Sequence, residues 1–599
     1  MSRITRLLTS ILATRDPSLI GICFLLGGAV TALAQSPTDS GGGPIRKKLI
    51  ELGGGVLTPS RLLALQTQVE QTPFDGLALK ITGADDAGKP VNTFQICTLS
   101  PWKREWFQGE VNTLKKLKSG KLTDNFMSVS LSVSATDFAD AFDDAGWKTI
   151  ADKFAIAAWI AREGGLRGVM FDPEGYGDTV IKLGSRRHKD KSYEEYAVKV
   201  RQRGREVMAA MAREYPDMVF FTLFMNSGTA LGALGGDPRV EAVRNASYAF
   251  YPAFVNGWLD VVPPGLTIVD GFEMSYPHSD EAQYLKHVNA IRNTTLALVA
   301  PENRLKYRGQ VQAGLAIYMD AYTAFPKVDA HADVFTDPPL EGSFADRLRE
   351  AVCSALDAAD EYVWIYNENY RWWPNEKNPD ATRYWDEILP GATEALLAAK
   401  DPLRRSLTRA DKEFSVSERK ARARGVPLRN LVKNGDFNNG AASTAPPDAA
   451  GVGKPTAKET ATAWQTVQSE ASKGTLARAV TGYAGYGSAF AKGVKDGMFV
   501  QEVKVAPQSF YKVRAWVRQI GKGVASVRVG WRDTEGRELD APHTFVPRLS
   551  PVEQWRQITG TVKSPARAAT LVLQLRVTDQ PERDILWFDD VELYSISVN

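Results

Sequence analysis

The sequence predicts an α/β fold, a (β/α)8 TIM barrel, with an all-β sandwich behind it. Three observations carry this expectation. From Lys48 to about Lys400, apolar runs of strand length alternate with amphipathic stretches of helix length. Past Val426 the period drops to two, in short runs broken by Gly, Pro and Asp, and no helix-length apolar period returns. The 599 residues also exceed what one core can hold.

The first segment reads as a targeting signal. Met1 to Ala34 carries Arg3, Arg6 and Arg15, then the apolar stretch Leu19 to Leu33, then Ala32-Leu33-Ala34 before Gln35. This is the pattern of a secretory signal peptide over 1–34 with an A-x-A cleavage site, which predicts a secreted or periplasmic protein. A retained anchor is the alternative, but the stretch is short and holds Gly27 and Gly28, which favours cleavage. No second apolar stretch approaches membrane-spanning length, so no membrane span is expected after cleavage. Losing three positive and one negative side chain with the signal takes the formal charge from +3 to +1, which gives no reason to expect nucleic acid.

The barrel is expected over 45–400. Its strands are predicted at Lys48-Leu52, Gly76-Ile81, Met127-Val133, Gly168-Asp172, Val219-Phe224, Ile268-Glu273, Gln312-Ile317 and Tyr362-Tyr366. Helical patterns fall at Ser60-Val69, Trp147-Arg162, Tyr193-Glu214, Asp280-Leu298, Phe344-Ala359 and Ala381-Ala399. Eight strands alternating with helices fit a closed barrel, with an open doubly wound sheet as the alternative. Residues 401–428, dense in Arg, Lys and Glu of mixed sign, are expected to be a solvated linker. The sandwich, 429–599, has strands predicted at Phe499-Val505, Tyr511-Val517, Ser526-Trp531, Trp555-Val562, Thr570-Val577 and Ile585-Leu593, with Asn439 to Thr462 a long loop. Cys97 and Cys353 are expected to be buried free thiols. His188, His278 and His331 lack metal-ligand spacing, and no Gly-rich phosphate loop occurs, so no catalytic metal or nucleotide cofactor is expected.

The chemistry gathers at strand ends. Asp172 and Glu174 close the fourth strand, and residues two apart on a strand point the same way, roughly 6.6 Å apart. In such a barrel the carboxyl ends of the strands form the active face. Glu273 with Tyr276 follows strand six, Asp320 ends strand seven, and Glu368 ends strand eight, sharing a face with Trp364 and Tyr366 by alternation. Asp75 starts strand two on the opposite rim and is expected to cap or turn. Trp102 and Trp106 follow strand two, and Trp372 and Trp373 follow strand eight; tryptophans in loops can stack on sugar rings.

Gly168-Val169-Met170-Phe171-Asp172-Pro173-Glu174 resembles the end of the D-x-x-D-x-D-x-E motif of family 18 glycoside hydrolases. Glu273-Met274-Ser275-Tyr276 resembles that family's M-x-Y-D, and Trp364 falls where its strand-eight tryptophan floors the site. The resemblance implies that Glu174 is the general acid and base, that Asp172 orients a substrate acetamido group acting as nucleophile, and that Tyr276 hydrogen-bonds that group. Arg167 and Met170 stand where the motif's first two acids would be, and Pro277 replaces the closing one. Without the acetamido route a second carboxylate must act as nucleophile or base: Glu368 first, then Glu273 and Asp320.

In the second domain, Asn430-Leu431-Val432-Lys433-Asn434-Gly435-Asp436-Phe437, Tyr511 to Val517 and Trp587-Phe588-Asp589-Asp590-Val591 resemble strands of jelly-roll carbohydrate-binding modules of family 4/9. The resemblance implies a structural calcium at Asp436 and Asp590, although Asn438 stands where an acid is common. Alternation puts Tyr511, Val513, Ala515 and Val517 in the core and leaves Trp516 outward among cations, a candidate sugar contact with Arg514 and Gln574 as polar partners. Together these readings predict a secreted glycoside hydrolase acting on a polysaccharide or oligosaccharide, with a catalytically silent lectin or a surface scaffold as alternatives.

Overall fold

A computed structural model describes residues 47–53, 55–118, 120–133, 137–229, 243–244, 246–323, 343–374, 382–440, 462–483, 485, 487–546 and 554–597. The expected signal peptide, His331 and most of the Asn439 to Thr462 loop lie outside them. The chain divides into two compact units, Met1–Leu397 and Ala398–Asn599.

The first unit is a barrel. Its strands are β1 (Lys48–Gly53), β2 (Gly76–Leu79), β5 (Phe126–Ser130), β6 (Gly168–Asp172), β7 (Val219–Thr222), β8 (Thr267–Asp270), β9 (Val311–Ala313), β10 (Leu315–Tyr318) and β11 (Tyr362–Asn367), with a small hairpin of β3 (Thr82–Ala84) and β4 (Pro90–Asn92) outside it. All barrel pairings are parallel, and β1 pairs with β11 in register from Lys48↔Tyr362 to Gly53↔Asn367, bringing the first strand against the last. β9 pairs with β8 and β10 with β11, so the two pieces flanking Gly314 occupy the single seventh strand position that the sequence predicts.

The helices are α1 (Pro59–Val69), α2 (Gln108–Leu114), α3 (Asp144–Glu163), α4 (Tyr193–Glu214), α5 (Tyr251–Val261), α6 (Glu281–Arg292), α7 (Arg304–Gln310), α8 (Phe344–Ala358), α9 (Trp385–Ile388) and α10 (Ala392–Lys400). Capping boxes at Ser192/Glu195 and Asp280/Gln283 start α4 and α6 by satisfying first-turn amides. The periodicity misses α5, which is mostly apolar and buried; its Asn256 donates to Leu298 O at 2.9 Å and its Asp260 accepts from Arg201 Nε at 2.9 Å. It crosses α4 closely: a Cβ at Gly204 would lie 2.1 Å from Phe254 O, and one at Gly257 would lie 2.1 Å from Arg201 O. Asp75 caps the amino end of β1, its carboxylate accepting from Leu49 N at 2.9 Å. Cys97 and Cys353 are buried and form no disulfide among the described residues, and burial pushes the Cys97 thiol up to about 12. No helix among the described residues is long and apolar enough to cross a membrane.

The second unit begins with a correction. The segment expected to be a solvated linker forms helix α11 (Pro402–Arg424), capped by the Asp401 carboxylate at one end and by Gly425 at φ 66° at the other. Its Ala410 and Phe414 are buried against Ile596, with Leu428, Phe510 and Tyr594 packed around them. Beyond it lie β12 (Gln465–Gln468), β13 (Thr475–Ala479), β14 (Ser488–Lys492), β15 (Asp496–Lys504), β16 (Phe510–Ile520), β17 (Val524–Arg532), β18 (Glu538–Phe545), β19 (Arg556–Lys563), β20 (Thr570–Thr578) and β21 (Ile585–Ile596). They form two five-stranded antiparallel sheets, ordered β12-β15-β20-β17-β18 and β13-β14-β21-β16-β19. Tyr511, Val513, Ala515 and Val517 face Leu571, Leu573, Leu575 and Val577 in one core, as alternation requires.

Candidate functional site

Carboxyl ends of the barrel strands open into one cavity of about 1150 Å³. Asp172, Glu174, Glu273, Tyr276, Trp364, Tyr366 and Glu368 all line it, so residues separated by up to two hundred positions meet at one mouth.

Asp172 is the last residue of β6, and its carboxylate accepts the Glu174 amide at 2.8 Å and the Ser130 hydroxyl. Burial pushes it up to about 7, with the Glu174 charge adding to the shift. Glu174 accepts the hydroxyl of Tyr176, and the next amide, Gly175 N, donates to Tyr248 Oη at 3.4 Å. Lys182 ties this loop down through Gly177 O at 3.1 Å.

Glu273 follows a strained turn: Phe272 sits at φ 41°, ψ 63°, the left-handed region that a bulky residue occupies only when its surroundings force it. Its ring stacks on His287 at 4.6 Å, which holds the turn from behind. The Glu273 carboxylate accepts the Tyr276 hydroxyl at 3.2 Å. Burial first, then the Glu174 and Asp172 charges, drive Glu273 up to about 8.

Glu368 is held by two phenols, Tyr318 at 3.1 Å and Tyr366 at 3.0 Å, one on each oxygen. Tyr276 and Tyr366 stack at 5.8 Å, Tyr318 and Tyr366 at 5.8 Å, and the Tyr276 ring meets Trp364 edge-on at 5.6 Å. The fully buried Trp364 donates to Gly271 O at 2.8 Å and floors the cavity.

Other expected site residues fall elsewhere. Asp320 is buried beside the mouth, and its carboxylate accepts Glu368 N at 2.8 Å and Asn369 Nδ2 at 2.7 Å, so it orients the Glu368 loop rather than facing the cavity. Trp102 is buried under Lys153 at 4.6 Å. Trp106 donates to Asp86 at 2.8 Å on the surface. Trp372 packs edge-on against Phe74 at 5.2 Å, and Trp373 donates to Gly55 O at 2.9 Å. None of these four lines the cavity, because apolar rings in the connecting loops find packing partners before they find solvent.

Three lining residues escaped the sequence reading: Tyr176 and Tyr248 frame Glu174, and Lys80 lines the mouth. Behind them Asp270, fully buried at the end of β8 and not among the lining residues, accepts Ser227 Oγ at 2.5 Å and Met225 N at 3.2 Å. Asp270 was legible as an acid at a strand end. The tyrosines carried no comparable signal.

In the sandwich, Trp516 faces outward as expected but stacks on Tyr483 at 3.9 Å, so that ring contact is already made. Arg514 is spent on α11, bonding Glu418 at 2.8 and 3.1 Å, and Lys512 bonds Asp411 at 2.8 Å. Gln574 belongs to the other sheet, which corrects its pairing with Trp516. There it lies in register with Val500 on one side and Arg528 on the other, and buried Gln574 Oε1 and Arg528 Nε have no hydrogen-bond partner. Asp436 accepts the Asn438 amide at 2.7 Å, and Asp590 is pushed up by burial and then by Asp436. Among the described residues no group of three or more His, Cys, Asp or Glu that could hold a metal occurs, and calcium also takes backbone and Asn carbonyl oxygens.

Residues 429–582 match the CBM_4_9 family, described as a carbohydrate binding domain. No curated protein matches the chain. Among solved structures, the enzymatically active domain of bacteriophage CBA120 tailspike protein 4 is 11% identical, over 28% of this chain and 21% of that one, with a TM-score of 0.20. The CBM22-1–GH10 modules of the Clostridium thermocellum N-terminal endo-1,4-beta-D-xylanase 10B, complexed with xylohexaose, are 16% identical over 22% and 26%, with a TM-score of 0.18. A CBM4 structure is 16% identical over 27% of this chain and 99% of its own, with a TM-score of 0.20. The chain thus spans about a fifth to a quarter of the first two, and overlaps this slight do not bear on its fold.

Proposed function

We propose that this is a secreted glycoside hydrolase in which the barrel cleaves a glycosidic bond and the sandwich holds the glycan. One observation carries the reading: carboxyl groups from β6, β8 and β11 converge with a wall of tyrosines and a tryptophan floor on one cavity at the carboxyl end of a barrel.

Glu174 is the proton donor in this reading. Its carboxyl O–H protonates the glycosidic oxygen as the bond from that oxygen to the anomeric carbon breaks, and the leaving sugar departs as an alcohol. A water oxygen then bonds to the anomeric carbon, directly or after a covalent glycosyl intermediate, and its proton passes to a carboxylate. Glu368, oriented by Tyr318 and Tyr366, is the candidate for that second carboxylate. Asp172 and Glu273, both pushed up by burial and neighbouring charge, lie beside it, and Trp364 and the tyrosines offer flat faces to sugar C–H groups. In the sandwich, the half-buried Gln574 and Arg528 row is the candidate polar strip for a sugar chain, their inward atoms Gln574 Oε1 and Arg528 Nε having no hydrogen-bond partner among the described residues.

Release of reducing ends from a glycan panel tests this. Glu174→Gln keeps the shape and removes the acid, and it is expected to lower the rate by at least about a hundredfold. Unchanged release would remove Glu174 from the role. Binding without release by the parent protein would favour the lectin reading, whose support is that the one family match falls on a binding module.

A further inference from the structure

We infer that the barrel cavity takes a sugar bearing a free, protonated amino group, so that the substrate class is a cationic amino-sugar oligomer. This rests on the glycosidase reading of the same cavity. Asp172, Glu174, Glu273 and Glu368 face the cavity, whereas Lys80 is the one basic side chain among the described residues lining it. Lys80 is exposed at the mouth and its ammonium makes no ion pair with the described residues. None of the four carboxyl groups makes a salt bridge with a Lys, Arg or His among the described residues, although such bridges are common elsewhere in the barrel.

Carboxyl groups crowded without counter-ions are costly, and proteins relieve the cost by protonating them or by binding a cation. The upward shifts of Asp172 and Glu273 follow the first route. An ammonium on the sugar would supply the second, donating up to three hydrogen bonds to carboxylates. The walls suit it as well: Trp364, Tyr276 and Tyr366 turn aromatic surface to the same space, and ring faces attract cations. An acetamido sugar brings no charge, and an anionic sugar would meet four acids with a single lysine in support.

The inference also settles a chemical conflict in the sequence. An unacylated amine has no carbonyl oxygen to attack the anomeric carbon, so the nucleophile must be water or an enzyme carboxylate. That is consistent with Arg167, Met170 and Pro277 standing where the acetamido-dependent motif has acids.

The test uses the full chain and length-matched oligomers of glucosamine and galactosamine, their N-acetylated forms, and neutral gluco-oligomers. At pH 6, where the amines are protonated, kcat/KM is expected to be at least about tenfold higher for the free amines. Equal or faster cleavage of acetylated or neutral oligomers overturns the inference. Calorimetry with Glu174→Gln, in buffers of different ionisation enthalpy at pH 6, where the amine is already charged, gives an independent arm. Binding of a glucosamine oligomer should release protons, because the ammonium draws the cavity carboxyls back toward ionisation; no release, or uptake, overturns the inference. Lys80→Gln should tighten binding of the amine oligomer by about two- to fivefold at low salt, a gain that added salt removes; no such gain counts against it. The two readings fail separately. If no oligomer is cut but amine binding still releases protons, the glycosidase reading falls and the cation site stands. If neutral sugars are cut in a Glu174-dependent way while amines are neither cut nor bound, the reverse holds.

Discussion

Glu273 shows how burial and like charge act together on one side chain. Its folded-state pKa of about 8 lies above that of an exposed glutamate, so the folded protein keeps a proton that the unfolded chain gives up. Its effect on stability is therefore nil below about pH 4 and grows more unfavourable as the pH climbs through about 8. Glu273→Gln keeps an acceptor for Tyr276 and removes the charge. At pH 8 it is expected to raise Tm by at least about 3 °C, with no difference near pH 4. A lower Tm at both pH values would mean that the carboxylate is held by favourable contacts instead. Asp590 gives a smaller version of the same argument, since burial and Asp436 push it up. Asp590→Asn is expected to leave Tm unchanged or raise it by about 1–3 °C, with no response of the parent to EDTA. A drop in Tm matched by EDTA treatment of the parent would restore the calcium expectation.

At the scale of elements, α11 is the instructive case. Its composition reads as solvated, because only Ala410 and Phe414 of its length are buried while its other anchors are charged. Phe414 also carries the Arg514 guanidinium over its ring at 4.9 Å. Phe414→Ala is expected to cost about 3–5 kcal/mol, read as a lower denaturant midpoint. A cost under about 1 kcal/mol would show that the helix is not held by this side chain. Elements with clean periods were legible, and β6 and α4 fall where the sequence puts them, residue for residue. Those without were not. The strands β13 and β14 are rich in alanine and hold only Thr475 of the β-branched residues that mark a strand, and in α5 only Asn256 and Asp260 interrupt the apolar run, too few to give a helical period.

For the whole molecule, the sequence by itself determined the class of each unit and the strand ends on which acids stand. Alternation, period and turn residues are local properties, written within a few residues of where they act. It also put Asp172 and Glu174 on the carboxyl rim, because their distance from the start of a strand is a matter of counting. Only the tertiary structure decided which side chains meet. Asp172, Glu273 and Glu368 are far apart in the chain, and barrel closure between β1 and β11 brings them to one cavity while turning Asp320 behind the wall. The tryptophans divide for the same reason: Trp364 reaches the floor from a strand face, whereas Trp102, Trp372 and Trp373 are consumed by neighbours that no local pattern names. Burial and countercharge are sums over the fold, so the pKa shifts and the lack of cations around the acids appear only once the chain is closed.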